Sequence, residues 1–157
     1  MKHLTTTMCL VLLTLLAATS HAQNRKAVRP SLFKNFPDKI ICTEAQLNSL
    51  FQYAQGANVS LSLTGNFTVS GPVSSNTVKY NNLQTVVIKL PAFNNTLFSL
   101  SKQTSNNNTG FVGRIFNPAY ADGFELKRGT NGTYHLAKID LENILVDCSF
   151  VKQEATR

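Results

Sequence analysis

The spacing of hydrophobic and polar residues changes along this chain, and each change marks an element. Met8–Ala18 is a largely apolar run of eleven residues. Further on, Leu47, Leu50, Phe51 and Ala54 follow the i, i+3, i+4, i+7 spacing of one buried helical face. Thr43 stands at the N-cap, Gln46 can complete a capping box, and Gly56 is placed for a left-handed C-terminal cap. The pattern predicts a helix over Thr43–Gln55.

From Asn58 the period drops to two. Val59, Leu61 and Leu63 alternate with Ser60, Ser62 and Thr64, Gly65-Asn66 predicts a turn, and Phe67 and Val69 predict a return strand. Gly71-Pro72 interrupts that strand and places it at a sheet edge. Leu83–Leu90 predicts a central strand with Val86, Ile88 and Leu90 on the core side. Phe93–Ser101 and Phe111–Phe116 predict strands around the loop Ser105–Gly110. Phe124–Arg128 and Thr133–Ile139 predict a hairpin about a type I′ turn at Asn131-Gly132. That turn sets Glu125 opposite Lys138, Leu126 opposite Ala137 and Phe124 opposite Ile139. Leu141–Phe150 fits either a short helix or a strand. Together these elements predict an α+β fold: one N-terminal helix packed on an antiparallel sheet of about five to seven strands.

The apolar run is too short for a membrane span, which needs ~20 residues. Lys2 precedes it, and Ser20-His21-Ala22 supplies small residues for cleavage. Residues 1–22 therefore read as a signal peptide cut near Ala22, and the protein as secreted or periplasmic. Residues 23–39 read as a basic, irregular leader, and residues 40–157 as a single domain. Leu32, Phe33 and Phe36 are the leader residues able to pin part of it to the body, although a solvated leader is the simpler expectation.

The chain carries a formal net charge of +7. The signal holds Lys2 and no acid, so removing it leaves +6 on 135 residues. Arg25, Lys26, Arg29, Lys34 and Lys39 concentrate in the leader and are the candidate partner-binding residues, suited to an acidic partner or an anionic surface. Stacking aromatic motifs and recognition-helix signatures are missing, which argues against nucleic acid. Outside the signal peptide the cysteines are Cys42 and Cys148. In an exported chain this pair predicts a disulfide, with two separately buried thiols as the alternative. Five N-x-[ST] triplets begin at Asn58, Asn66, Asn94, Asn107 and Asn131; they suit either glycosylation or simple turn chemistry.

Candidate chemistry is sparse. His135 is the only histidine beyond the signal peptide, and no serine lies in a nucleophile-elbow pattern. Asp122-Gly123 reads as a turn. Asp140, Glu142 and Asn143 lack the repeated oxygen-ligand loop of a strong calcium site. No catalytic set, metal site or cofactor is predicted.

The order of one helix and successive antiparallel strands resembles the outline of cystatin-like modules, a likeness that implies no function. Gln84-Thr85-Val86 loosely resembles an inhibitor's binding loop, but lacks its glycine and reads as the start of a buried strand. The expectation is an exported, non-catalytic binding or accessory module. Its candidate partners are a protein, a glycan or an envelope surface, contacted through the basic leader or an open sheet face. The alternatives are a small secreted enzyme with His135 as general base, and a propeptide-like or inhibitory partner of another secreted protein.

Overall fold

The computed structural model describes residues 29–143 apart from 107. The expected signal peptide, Arg25, Lys26, Cys148 and the segment from 144 onward lie outside the described residues.

Eight strands form one antiparallel sheet: β1 (Lys39–Cys42), β2 (Asn58–Ser62), β3 (Thr68–Lys79), β4 (Leu83–Leu90), β5 (Thr96–Ser105), β6 (Asn108–Phe116), β7 (Asp122–Arg128) and β8 (Tyr134–Asp140). Their order is β1-β8-β7-β6-β5-β4-β3-β2. From β2 to β8 the chain is a meander, and β1 joins its far end. The sheet curls strongly into a half-barrel. The two edge strands are neighbours in sequence, linked by the one short helix, α1 (Glu44–Ser49).

This overturns the expected helix-on-sheet α+β arrangement. The capping box forms as predicted: Thr43 Oγ1 accepts from the Gln46 N–H at 3.1 Å, and Gln46 Oε1 accepts from the Thr43 N–H at 2.9 Å. Leu47, Leu50 and Phe51 are buried. The α-helix ends at Ser49, however, and a 3-10 turn over Leu50–Gln52 gives way to extended backbone at Tyr53. Ala54 is exposed. α1 and its 3-10 extension, nine residues together, cannot cover the inner face of eight strands. That face is covered by curling the sheet around its own side chains.

β3 is one of the devices that turns the sheet. Its first half pairs with β2, from Thr68↔Ser62 to Pro72↔Asn58, and its second half pairs with β4 after an irregularity between Val73 and Ser75. Pro72 closes one ladder just before the other begins, so each half of β3 has one strand partner, and in the strand order β3 stands between β4 and the edge strand β2. Gly71 has φ +150°, and a Cβ there would sit 2.0 Å from the Lys89 carbonyl oxygen. A bulge beside a glycine that permits close backbone approach is a common way to bend a strand.

The leader contributes to the body. From Arg29 it crosses one mouth of the half-barrel as a strap, Phe33 enters the interior fully buried, and Lys39 already belongs to β1. The Phe33 ring lies 5.1 Å from Phe124, 5.3 Å from Phe93 and 6.1 Å from Phe67 between centroids. Phe67 and Phe93 stack at 5.1 Å. At the opposite mouth Phe111 packs edge-on against Tyr134 at 5.5 Å and tilts against Phe51 at 6.1 Å.

The opening between β1 and β2 is bridged by side chains. The Ile41 N–H donates to Thr64 Oγ1 at 2.7 Å, and Gln46 Nε2 donates to the Ser62 carbonyl at 3.2 Å.

The β7–β8 hairpin sits one residue away from the expected register. Phe124 pairs with Lys138, Glu125 with Ala137 and Leu126 with Leu136. The type I′ turn is replaced by a 3-10 turn over Thr130–Gly132, closed by the Gly129 N–H donating to the Thr133 carbonyl at 2.7 Å. Much of the asparagine richness serves turns: Asn66, Asn81, Asn94, Asn95 and Asn106 all have positive φ.

Candidate functional site

Three surfaces merit comparison: the strapped mouth, the helix-covered mouth and the outer face of the sheet.

The strapped mouth is a groove of about 600 Å³. Asp122, buried at the start of β7, organises it. Its carboxylate accepts the Ser31 hydroxyl, the Leu32 N–H at 2.6 Å and the Phe33 N–H at 2.9 Å. Lys138 donates to the Phe36 carbonyl at 2.6 Å and pairs with Asp38 at 3.1 Å. Arg29 reaches Glu142 at 3.4 Å and the Pro118 carbonyl at 3.1 Å. Asp140 accepts the Glu142 N–H at 2.8 Å and Asn143 Nδ2 at 2.9 Å. These charged groups are engaged in holding the strap and the end of β8. Among the described residues no group of three His, Cys, Asp or Glu side chains is placed to hold a metal.

At the helix-covered mouth, Lys102 donates to Asn48 Oδ1 at 3.1 Å and lies 4.9 Å from the Phe51 ring centroid. Phe51 and Phe111 close the interior behind it. This recess, about 490 Å³, is lined by Glu44, Asn48, Lys102 and Thr109. It holds no histidine or cysteine and a single carboxylate, which gives it no acid–base pair.

The outer face follows from strand register. Ser75, Val87, Ser99, Arg114, Glu125, Ala137 and Lys39 form one row across the sheet. The adjacent row holds Thr77, Thr85, Ser101 and Val112 at one end and Lys127, His135 and Ile41 at the other. Thr85 and Ser101 share a hydroxyl hydrogen bond of 2.9 Å. Val112 is 70% exposed and Ile41 41%. Glu125 bonds Arg114 Nη2 at 2.7 Å and also pairs with Lys127. Lys127 and then Arg114 hold the Glu125 carboxyl below its ordinary value.

The sequence-derived candidates are dispersed by the fold. Arg29 is occupied at the strapped mouth, Lys34 is exposed on the strap, and Lys39 lies on the outer face. His135 is on that same face, paired across the sheet with Lys127 and Ile41. No carboxylate is hydrogen-bonded to it among the described residues. Burial first, then Lys39 and Lys127, lowers its pKa. Cys42 is buried and its thiol is pushed up to about 11 by that burial. No disulfide is at bonding distance among the described residues, and Cys148 lies outside them.

Sequence reading missed Asp122 as an anchor because an Asp-Gly pair looks like a turn. It also missed Arg114 and Lys127 as neighbours. Alternation alone puts Ser99 and Ser101 on one face, but only the cross-strand register adds the cations.

No helix among the described residues is long and apolar enough to cross a membrane. Compared with family models, curated proteins and solved structures, the chain matches none.

Proposed function

We propose that this protein is an exported, non-catalytic binding module that works through the outside of its sheet. The supporting observation is the strap's insertion of Phe33 into the half-barrel, where it packs against Phe67, Phe93 and Phe124. Small β-barrels that carry ligands inside need an open lumen, and this interior is filled by side chains. The arrangement of acids agrees with the same reading. Asp122 holds the strap backbone, and His135 is paired across the sheet with Lys127. Neither forms the base–orienter pair of a hydrolytic site.

The test uses the chain secreted by its native host. Intact mass is expected to begin at Gln23. Incubated with a panel of polysaccharides, the protein is expected to retain at least one of them and to leave its chain length unchanged. Turnover of any of these polymers that disappears in His135→Ala would overturn the proposal.

A further inference from the structure

We infer that the outer face of the sheet binds an anionic polysaccharide, laid across the strands. This inference rests on the binding-module reading and assigns it a ligand class.

The charges of the fold are segregated. Lys39, Lys79, Lys89, Arg114 and Lys127 all project from the outer face by strand register, with Glu125 as the one carboxylate on that face among the described residues. The strapped mouth gathers Asp38, Asp122, Asp140 and Glu142 around Arg29 and Lys138. One side of the molecule therefore carries an excess of positive charge and the mouth an excess of negative charge. Such a separation steers anions toward the sheet.

Shape favours an extended ligand over a small anion. The cations are strung along the sheet and do not converge on one point. Arg114 and Lys39 stand three strand spacings apart, about 14 Å. Beyond Arg114 one row continues as Ser99, Val87 and Ser75, and the other runs from the exposed Val112 to Ser101, Thr85 and Thr77, so five of these seven positions carry hydroxyls. A shallow recess of about 300 Å³ lies there, lined by Ser75, Thr77, Lys79, Leu83 and Thr85. A polymer crossing the strands meets cations and hydroxyls in turn, matching a chain that carries both acidic groups and sugar hydroxyls. Single-stranded nucleic acid would need aromatic platforms for its bases. The two rows described across this face contain no Phe, Tyr or Trp and one imidazole, His135, and Phe116 stands apart in the neighbouring row with Leu97 and Lys89, so no continuous platform forms. Glu125 holds Arg114 and Lys127 in place, which lowers the ordering cost when a ligand arrives.

The experiment is calorimetric titration of the full secreted chain with polygalacturonate and with dextran sulfate. Neutral dextran, single-stranded oligothymidine and anionic phospholipid vesicles are the comparison arms. Binding to a carboxylated or sulfated polymer at low salt is expected, with loss at about 0.5 M salt as charges are screened. Lys39→Gln/Lys127→Gln is expected to weaken binding at least about fivefold. Lys34→Gln/Arg128→Gln removes the same charge away from this face and is expected to weaken it less than about twofold. Equal loss in both pairs, or no binding to either acidic polymer, would overturn the inference. So would equally tight binding to oligothymidine or vesicles. Equal binding to neutral dextran would also overturn it but leave the binding-module reading standing, whereas cleavage of a polymer would overturn that reading itself.

Discussion

Asp122 accepts the backbone N–H of Phe33 at 2.9 Å across 89 residues of sequence. The same carboxylate takes the Ser31 hydroxyl and the Leu32 N–H, so one side chain fixes the path of the strap. Asp122→Ala leaves these donors without their acceptor. Hydrogen bonds to a charged, largely buried group contribute about 1.5–3 kcal/mol each and are not additive, so the expected destabilisation is about 3 kcal/mol. Urea denaturation checks it: the midpoint falls and the slope is unchanged. A midpoint within error of wild type would refute the anchoring role.

Phe33 carries the second prediction. Truncation to alanine empties the centre of a phenylalanine cluster and is expected to cost about 3–5 kcal/mol. A chain beginning at Ile40, the boundary suggested by composition, lacks the strap and is expected to lose cooperative unfolding. A chain beginning at Gln23 is expected to keep it. Circular dichroism during thermal unfolding distinguishes the two, and a cooperative Ile40 chain would show the strap to be dispensable.

Two groups on the outer face give opposite charges but the same direction of pH dependence. Glu125 has a folded pKa below its ordinary 4.5, set first by Lys127 and then by Arg114. Its stabilisation is complete above the unfolded value and is lost as pH falls through the folded one. His135 has a folded pKa below its ordinary 6.5, set first by burial and then by Lys39 and Lys127. The fold favours the neutral ring, so this contribution too is complete above 6.5 and declines as pH falls through the folded value. Glu125→Gln is expected to flatten the acid limb of the stability profile. Lys39→Gln is expected to move the His135 midpoint upward in an NMR titration. A wild-type midpoint at or above 6.5 would contradict this environment.

Cys42 provides a test of sulfur chemistry. The buried thiol, with a pKa of about 11, is almost wholly protonated at mildly alkaline pH. Iodoacetamide is expected to spare it in the folded chain and to modify it once urea unfolds the protein without reductant. Failure to react in urea until a reductant is added would demonstrate a disulfide at this cysteine.

Local pattern captured the elements better than their assembly. β4 coincides with the predicted Leu83–Leu90, and its inward residues Val86, Ile88 and Leu90 are all buried. The Thr43–Gln46 capping box also follows from residue spacing. Both depend on contacts within a few residues. The curl depends on β1 meeting β8 and on Gly71 passing beside Lys89, relationships with no local signature. The β7–β8 register was misread for a similar reason. Glu125 finds Arg114 and Lys127 as ionic partners, while Lys138 turns to the strap's Asp38 and Phe36 carbonyl. The cross-strand charge pairing inferred for an isolated hairpin was outweighed by groups from β6 and the strap. The basic face was hidden in the same way, because its cations come from strands scattered through the sequence.

The pairing of β1 with β8 also bears on synthesis and on the proposed export. β1 pairs with β8, from Lys39↔Ala137 to Cys42↔Tyr134, so among the described residues the first strand has no strand partner until the β7–β8 hairpin emerges. A polypeptide delivered from its N-terminus cannot complete this architecture piecemeal, and non-local closure of this kind slows folding. If the chain is exported as proposed above, that delay would keep it threadable through a narrow translocation channel, with β8 serving as the latch that commits the described residues to their shape.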